Sequence, residues 1–461
     1  MDWVTCAHSA ACTGIARQPY ENCLFHLPPP QRDEALAALV PGRLLDLRGT
    51  ILDSALLAQV LEAVGGKPGR TRLEQARFTG EARFSGVHFL GDVSLDGARF
   101  ERLASFFDAC FGGNVSLAGA RFARELSFHG ARVRGHVSLD RALMARDALF
   151  SQTAFGRGLS CERARFDGYA TFDGASFGDT ATFRGARFGK TLSFRKVTGA
   201  AVFDSAHFAA DAYLSATGRL CAVSARADAA LDVTVHGCAL DLRRVEVAGQ
   251  LMVRMTDSHA DLESALLRCP ASITGRGASS LTSLRQVTAP SLSLYGLDLT
   301  TCRFAGLAHP AGLRLKGCTF AFTPRGVRLS LRWPPLRWFS RRRALADEHG
   351  WRGWAHATPE ESTTPDGLAA LYASLREGLD DDGTAADFAF AAMEMRRQAT
   401  RRWWLSLYWL ACGYGMRMWR AAAWTVLLVA VTAGALLWTS TSHAARRTTT
   451  PRPPTTPTLP R

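Results

Sequence analysis

The sequence predicts a mainly β protein: a right-handed, quadrilateral β-helix with an N-terminal cap before it, and a C-terminal helical region and one transmembrane helix after it. Bulky apolar residues recur from Phe78 to Phe194 at steps that alternate between six and five residues. A smaller apolar residue stands two positions before most of them, and glycine often stands two positions after. Past residue 363 the apolar spacing changes to three and four residues, and 421–438 is apolar and uncharged. The first two observations predict the solenoid, and the third predicts the helices.

The repeat indicates short strands joined by corners. Residues two positions apart point to the same side of a strand, so the small and the bulky apolar residue both face inward. Glycine then permits the corner at low steric cost. Two double units, about 22 residues, predict one four-sided coil that buries its core only against its neighbours. A β-sandwich is the alternative, but its strands would differ in length and spacing. The bulky positions are Phe78, Phe84, Phe89, Leu95, Phe100, Phe106, Phe111, Leu117, Phe122, Phe128, Val133, Leu139, Met144, Phe150, Phe155, Cys161, Phe166, Phe172, Phe177, Phe183, Phe188 and Phe194.

The solenoid is predicted to fill residues 73–323, regular to about residue 208 and irregular after residue 214. In the irregular part the segment Leu231-Asp-Val-Thr-Val still alternates, and glycine and Asp/Ser turn signals persist. Cys161 occupies one of the regularly spaced apolar positions and is predicted to be a small core residue. The histidines of the solenoid are expected to lie outward or at corners. They are His88, His129, His136 and His207.

The unit of a small residue, a polar one, a phenylalanine or leucine and two more resembles the pentapeptide-repeat family, in its phenylalanine-rich branch. The resemblance covers Leu73 to about Phe208, and this chain departs from the family's five-residue beat by one inserted residue in every second unit. Some members of the family mimic DNA and protect topoisomerases, which needs a strongly acidic surface. Residues 73–323 hold 29 basic and 23 acidic residues, so that role is disfavoured for this chain.

Cysteine and histidine cluster before the repeat, in Cys6-Ala-His-Ser-Ala-Ala-Cys12 and in Cys23-Leu-Phe-His26. A Cys3His ligand set that suits tetrahedral zinc consists of Cys6, Cys12, Cys23 and His26. His8 could replace one of these ligands. A metal would supply stability that so small a segment cannot draw from its own core, and four protein ligands would make the zinc structural. The spacing matches no common zinc finger, so free structural thiols remain the alternative.

Residues 1–72 are predicted to form the N-terminal cap. Proline and glycine bound a short helix after Leu27. A second amphipathic helix is predicted from Ile51 to Val64, with Asp53 or Ser54 as its N-cap. Such helices would cover the first coil, whose open strand edges would otherwise pair with other chains.

The C-terminal third is predicted to consist of four segments. Proline and arginine cluster in 324–363, which is predicted as a linker, and 364–420 is predicted as a helical juxtamembrane region. The two helices of this region resemble a single tetratricopeptide unit or a plain two-helix packing element. The transmembrane helix is placed at 421–440, with a buried core helix as the alternative. The Thr/Pro-rich segment 441–461 is predicted as a disordered tail.

The run Met393-Glu-Met-Arg-Arg, followed by Leu407-Tyr-Trp-Leu and Gly413-Tyr-Gly, resembles the membrane-proximal region of bacterial pentapeptide-repeat membrane proteins. The aromatic part of this run is expected at the membrane interface. Six arginines from 396 to 420 precede the apolar segment and two follow it. The positive-inside rule therefore predicts a single-pass protein of the cell membrane, with its N-terminal bulk in the cytoplasm and a short tail outside.

Composition and motifs favour a non-catalytic function. No secretory signal opens the chain, so most of the 11 cysteines are expected to be reduced. No nucleophile–base set, phosphate loop or dinucleotide fingerprint is visible, so no catalytic and no cofactor-binding residue is predicted. The predicted function is a membrane-anchored scaffold whose partners are the lipid bilayer and a protein of unknown identity. The alternatives are an enzyme of unrecognised mechanism and a nucleic-acid binder, and the interleaved acids disfavour the latter despite a net charge of +14.

Overall fold

The computed structural model describes residues 3–324, 326–329, 336–339, 341–354, 364–400, 403–415 and 418–447. Its centre is a parallel β-solenoid of about 12 turns. The predicted four-sided coil of about 22 residues is confirmed by the strand register, because Arg77 pairs with Arg99 and Arg99 pairs with Arg121.

Faces 1 to 4 of the coil are numbered in the order in which the chain runs along them from Ala82. On face 1 the first residue of each two-residue strand points inward, and on face 2 the second residue does. The strands of face 1 are Ala82–Arg83, Ala104–Ser105, Leu126–Ser127, Ala148–Leu149, Ala170–Thr171, Ala212–Ala216, Leu231–His236, Leu251–Thr256, Ala271–Arg276, Leu292–Tyr295 and Leu313–Lys316. The strands of face 2 are His88–Phe89, Cys110–Phe111, Arg132–Val133 and Ala154–Phe155.

Faces 3 and 4 complete each coil in the same way. Two longer strands, Ser176–Thr182 and Leu192–Val202, run across corners and so belong to more than one face. The strands of face 3 are Leu45–Asp46, Thr71–Arg72, Val93–Ser94, Val115–Ser116, Val137–Ser138, Leu159–Ser160, Leu220–Cys221, Ala239–Asp241, His259–Asp261 and Ser280–Ser283. The strands of face 4 are Ile51–Leu52, Arg77–Phe78, Arg99–Phe100, Arg121–Phe122, Leu143–Met144, Arg165–Phe166, Arg187–Phe188, His207–Phe208, Arg226–Ala227, Glu246–Val247 and Leu266–Leu267.

Phenylalanine rings stack along the inside of the regular coils. The ring of Phe100 lies between those of Phe78 and Phe122, at centroid distances of 4.4 and 4.7 Å. Phe106 stacks in the same way on Phe128, at 4.5 Å. Each ring rests on the equivalent ring of the next coil, because neighbouring strands lie about 4.8 Å apart and aromatic rings stack well near that distance. The regularly spaced apolar residues predicted from the sequence therefore line the inside of the solenoid.

The corner between faces 3 and 4 needs a left-handed backbone conformation. Gly97 and Gly119 adopt it, with φ of 66° and 65°. The equivalent positions of the next two coils hold Arg141 and Arg163, with φ of 57° and 55°. An L side chain in this conformation costs roughly 1–2 kcal/mol. The stacked coils impose the corner even where glycine is missing, which is why the glycine signal in the sequence is intermittent.

Beyond residue 192 the coils shorten and lose a strand. Ala212 pairs with Leu231, 19 residues later, and Leu231 pairs with Leu251, 20 residues later. The strand of face 1 lengthens, as in the six residues Leu251–Thr256, and takes the place of the separate short strands of faces 1 and 2. This change of coil length explains why the spacing of bulky apolar residues becomes less regular after residue 214. The irregular segment is further solenoid, as predicted.

The N-terminal region contains helices α1, Pro29–Ala37, and α2, Ser54–Ala63. The second begins three residues later than predicted, because Ile51–Leu52 is a strand of face 4. Asp53 is its N-cap, and the carboxylate accepts a backbone N–H at 2.8 Å. The solenoid also starts earlier than predicted: Leu45 pairs in register with the next coil, so the region assigned to the cap already contains the first coil.

Short strands and helices follow the last coil. A one-turn 3-10 helix, Pro310–Gly312, leads into the last strand of face 1. Two antiparallel strand pairs are Ala321–Phe322 with Arg343–Ala344, and Gly326–Leu329 with Leu336–Phe339. The helices are α3, Ala346–Trp351, α4, Pro365–Glu377, and α5, Asp382–Thr400. The predicted linker 324–363 thus contains strands and α3, and its residues 325, 330–335, 340 and 355–363 lie outside the described residues.

Helices α4 and α5 close the C-terminal end of the solenoid. The N–H of Leu315, in the last strand of face 1, donates to the carbonyl oxygen of Gly378 at 2.8 Å. The ring of Phe320 meets that of Phe388 edge to face, at 5.0 Å between centroids. The predicted helical pair is therefore a cap on the last coil, and it satisfies strand edges that would otherwise be open.

A network of buried charges ties this cap together. Glu348 of α3 lies between Arg342 and Arg352, each 2.6 Å away, and accepts a hydrogen bond from the hydroxyl of Tyr372 of α4 at 2.7 Å. Glu394 of α5 completes the network, 3.2 Å from Arg342 and 3.0 Å from Arg352. Burial alone would raise the pKa of Glu348, but the two guanidinium groups lower it.

The chain then forms helices α6, Trp403–Cys412, and α7, Met418–Arg447. The window 421–438 of α7 has a mean hydropathy of 1.9, and no part of it is buried. Among the described residues it is the one helix long and apolar enough to cross a membrane. Helix α7 continues through 441–447, which was predicted as tail, because alanine and arginine there favour helix. The rest of the predicted tail, 448–461, lies outside the described residues.

Candidate metal centre

Two turns bring the four predicted zinc ligands together at the start of the chain. The N–H of Cys6 donates to the carbonyl oxygen of Gly14 at 2.7 Å, which closes a loop that contains Cys12. In a second, tighter turn the N–H of His26 donates to the carbonyl oxygen of Cys23 at 2.9 Å. One ligand atom from each of the four residues lies within 4.8 Å of the others, and we call this group the Cys3His cluster.

The distances in the Cys3His cluster are those of a tetrahedral metal site. The Nδ1 atom of His26 lies 3.4–3.5 Å from all three cysteine sulfurs. The sulfurs of Cys12 and Cys23 lie 3.8 Å apart. With Zn–S near 2.3 Å and Zn–N near 2.0–2.1 Å, a regular tetrahedron has edges of about 3.6 Å from nitrogen to sulfur and about 3.8 Å between sulfurs. These four separations are compatible with one zinc ion bound among the four ligand atoms.

The segment that carries the cluster has almost no core of its own. Its hydrophobic cluster consists of the three cysteines with Phe25 packed against them, separate from the core of the solenoid. Gly14 allows the turns to approach, because a Cβ atom there would lie 2.7 Å from Cys23 Cβ and 2.9 Å from Cys23 Sγ. This glycine was not recognised from the sequence, since nothing in its spacing distinguishes it from a turn glycine.

Backbone N–H groups point at the sulfurs of the cluster. Burial pushes the pKa of Cys6 upward, but the N–H groups of Cys23 and His8 outweigh it and lower that pKa. Burial raises the pKa of Cys12 and raises that of Cys23 to about 12. Burial, followed by the charge of His8, lowers the pKa of His26, which favours the neutral ring that a metal requires.

His8 does not belong to the Cys3His cluster. Its ring stacks on that of His26, with 4.0 Å between centroids and 13° between planes. The segment also contacts the first coil of the solenoid through two hydrogen bonds. The N–H of Ile15 donates to the carbonyl oxygen of Arg48 at 2.8 Å, and the hydroxyl of Thr13 donates to the carbonyl oxygen of Gly49 at 3.1 Å. The segment that carries the Cys3His cluster and the helices α1 and α2 thus cap the N-terminal end together.

Four protein ligands determine what such a site can do. A zinc ion held by three sulfurs and one nitrogen has no open position for water or substrate. Activation of water or of a carbonyl needs such a position. The arrangement can therefore hold the two turns together, and it offers no metal-assisted catalysis.

The other residues predicted from the sequence lie where they were expected. Cys161 is fully buried, and burial raises the pKa of its thiol well above the usual range. His88 and His136 are exposed, and His129 stacks on the exposed ring of Phe107 at 5.6 Å. His207 lies on face 4 and pairs with an acid of the next coil, 2.7 Å away. The structure does not bring these histidines together.

Comparison with protein-family models places the solenoid in a family. The model for pentapeptide repeats (9 copies) matches residues 73–121, 84–132 and 128–176, which lie within the regular coils. Residues 73–176 match the pentapeptide-repeat family. Neither the curated proteins nor the solved structures compared with the chain gave a match. The predicted resemblance is thereby confirmed for residues 73–176, and the solenoid that contains them is flanked by two caps and by α7.

Proposed function

We propose that this protein is a non-catalytic scaffold, held at a membrane by α7, whose pentapeptide-repeat solenoid presents a regular surface to a protein partner. The observation that carries the proposal is the exposure of 421–438, which is apolar yet unburied. Leu436 is 71% exposed and Trp438 79%. A helix of 18 residues is about 27 Å long, close to the hydrocarbon thickness of a bilayer, and satisfies its own backbone there.

The charge of the flanks supports one orientation. Arg396, Arg397, Arg401 and Arg402 lie on the N-terminal side of the apolar window, and Arg446 and Arg447 lie on the C-terminal side. The excess of arginine on the N-terminal side favours a cytoplasmic solenoid under the positive-inside rule. The solenoid would then work in a reducing compartment, which agrees with its free cysteines.

The surface of the solenoid supports a scaffold more than an enzyme. A groove of about 840 Å³ runs along the corner between faces 3 and 4. Its walls carry charges of both signs from corner residues, and Arg184 there lies 3.5 Å from Glu162. Charges that neutralise one another on an open surface do not form the enclosed, desolvated site that catalysis uses. Repeat solenoids instead offer long regular surfaces for protein binding.

Membrane fractionation tests the proposal. Membranes that contain the full-length chain, and membranes that contain a chain ending before Ala421, are washed with carbonate and then extracted with detergent. We expect that only the full-length chain needs detergent for its release. A control chain that ends after Arg447 keeps α7 and should behave like the full-length protein. Release of the full-length chain by carbonate alone would show that α7 is not a membrane span.

We also infer that the Cys3His cluster holds one structural zinc ion. The tetrahedral distances of its four ligand atoms support this inference. Metal analysis of the purified protein should find close to one zinc per chain. The Cys23→Ser variant should lose it, whereas Cys110→Ser, on the outer side of face 2, should retain it. Equal metal content in the two variants would refute the assignment.

A further inference from the structure

Face 4 of the solenoid carries a column of stacked arginines. Each strand there directs its first residue outward, and the register places these residues side by side in successive coils. Leu143 interrupts the column after three coils, and arginine then resumes. The members of this arginine column are Arg77, Arg99, Arg121, Arg165 and Arg187.

A second row of basic residues runs beside the arginine column, at the corner that follows face 4. Arg102, Arg124 and Arg146 occupy equivalent positions of three successive coils, because the residues before them bond in the same register. Lys190 stands two coils further on, and all four side chains are exposed. We call the arginine column together with this row the basic face.

Most of the charge on the basic face is not neutralised. Arg77 pairs with Glu101, and Arg165 pairs with Asp167 at 2.6 Å. Among the described residues, no carboxylate forms an ion pair with the arginines at 99, 121 and 187. Like charges on directly opposed positions of neighbouring strands repel one another and destabilise the sheet. Arg99 and Arg121, which lie directly opposite each other in neighbouring coils, therefore repel each other, and no described carboxylate forms an ion pair with either.

The other faces show that the basic residues are not spread evenly. On face 3 the equivalent outward positions of four successive coils hold Ser94, Ser116, Ser138 and Ser160. On face 1 the outward positions that next follow Arg99 and Arg121 along the chain hold Ser105 and Ser127. Faces 1 and 3 thus lack the outward column of arginines that face 4 carries in the same coils. Charge needed only for solubility would not be sorted in this way.

We propose that the basic face binds the anionic phospholipid headgroups of the bilayer in which α7 is anchored, an inference that rests on the membrane anchoring proposed above. Guanidinium groups bind phosphate through paired hydrogen bonds, and the arginines are spaced by single coils along a flat surface. Tethering by α7 holds the solenoid beside the membrane at high effective concentration, so weak contacts with many headgroups suffice. A flat bilayer matches a strip of six coils better than a curved duplex does.

Arginine footprinting of the reconstituted full-length protein tests this. The protein is placed in vesicles of phosphatidylcholine alone or with phosphatidylglycerol, with the solenoid outside, and treated with phenylglyoxal. Mass spectrometry then measures the modification rate of each arginine. Anionic vesicles should slow the modification of Arg99, Arg121 and Arg187 about fivefold, and high salt should remove the effect. The exposed Arg132 and Arg134 of face 2 serve as internal controls and should not change.

Two variants and one competitor make the test decisive. Replacing the arginines at 99, 121 and 187 together by serine should abolish the protection of Arg102 and Arg124, whereas Arg132→Ser with Arg134→Ser should leave it intact. Equal modification in both kinds of vesicle, for protein that floats with the vesicles, would overturn the proposal and leave membrane anchoring standing. Protein that does not float at all would refute the anchor itself. Protection of the basic face by a DNA duplex in neutral vesicles, and not by anionic lipid, would overturn it in favour of nucleic acid.

Discussion

Arg342 and Glu348 form an ion pair that is closed off from solvent, with 2.6 Å between Nη2 and Oε1 and side-chain exposures of 2% and 0%. The arginine follows the last strands of the solenoid and the glutamate belongs to α3, while Tyr372 of α4 and Glu394 of α5 contact the same pair. One buried pair therefore joins the strand pair that follows the solenoid to α3, α4 and α5.

Glu348→Gln should destabilise the C-terminal cap strongly. The substitution leaves the charge of Arg342 buried without its nearest counter-ion, and removing one partner of such a pair typically costs about 3–5 kcal/mol. Urea unfolding of the full-length protein in detergent measures the loss. As the control, Glu162→Gln disrupts a solvent-exposed pair with Arg184 and should cost less than about 1 kcal/mol. Similar losses for the two variants would show that the buried pair does not hold the cap.

The same pair should make the cap sensitive to acid. The pKa of Glu348 is lowered in the folded protein, so its contribution to stability is fully present above the usual glutamate pKa. That contribution is lost as the pH falls through the lowered pKa, where the carboxylate takes up a proton. Tryptophan fluorescence followed from pH 7 to pH 2 should show the wild-type cap opening below about pH 4. The Glu348→Gln variant should lose much of this pH dependence, and an unchanged acid transition would contradict the assignment.

Phe106→Ala and Phe107→Ala should differ greatly although the residues are neighbours. Phe106 is buried between Phe84 and Phe128, at centroid distances of 4.9 and 4.5 Å, whereas Phe107 is 45% exposed. Loss of the buried ring leaves a cavity and should cost about 3–5 kcal/mol, and loss of the exposed one less than about 1 kcal/mol. Denaturant unfolding measures both. Equal losses would mean that the ring stack does not carry the stability of the solenoid.

Gly14→Ala should weaken zinc binding without removing any ligand. The added Cβ would lie 2.7 Å from that of Cys23 and push the two ligand turns apart. Competition with a chelator should show zinc lost at a concentration lower by about 10-fold or more, the usual effect of changes next to a metal site. Gly434→Ala, where a Cβ meets nothing within 4 Å, is the control and should retain wild-type affinity. Wild-type affinity in Gly14→Ala would show that the turns can relax.

The regular coils could be predicted because their physics is local. Each bulky residue, such as Phe100, meets the equivalent residue one coil away, so a fixed spacing in the sequence reports a fixed contact in space. The Cys3His cluster could be predicted for a similar reason, since few residue types bind zinc and all four lie within 21 residues, from Cys6 to His26. Gly14, by contrast, acts through a contact between two turns that no spacing reveals.

Contacts between distant segments explain what the sequence did not reveal. Ile51 belongs to a strand because the next coil offers it a partner, although its own neighbours favour helix. The helices α4 and α5 look like an independent hairpin in sequence, but Leu315 bonds to Gly378 and makes them a cap. The basic face was hidden as well, since a count of charges over 73–323 averages the four faces that the register separates.

Because the solenoid consists of whole stacked coils, the number of coils sets its length. About 12 turns at about 4.8 Å give a rod roughly 55–60 Å long, and both of its ends are closed by other parts of the chain. Its length can change only by whole coils, since a partial coil would break the register on all sides. Insertion or deletion of one 22-residue coil would therefore move whatever binds near the N-terminal cap by a single step of about 4.8 Å relative to α7.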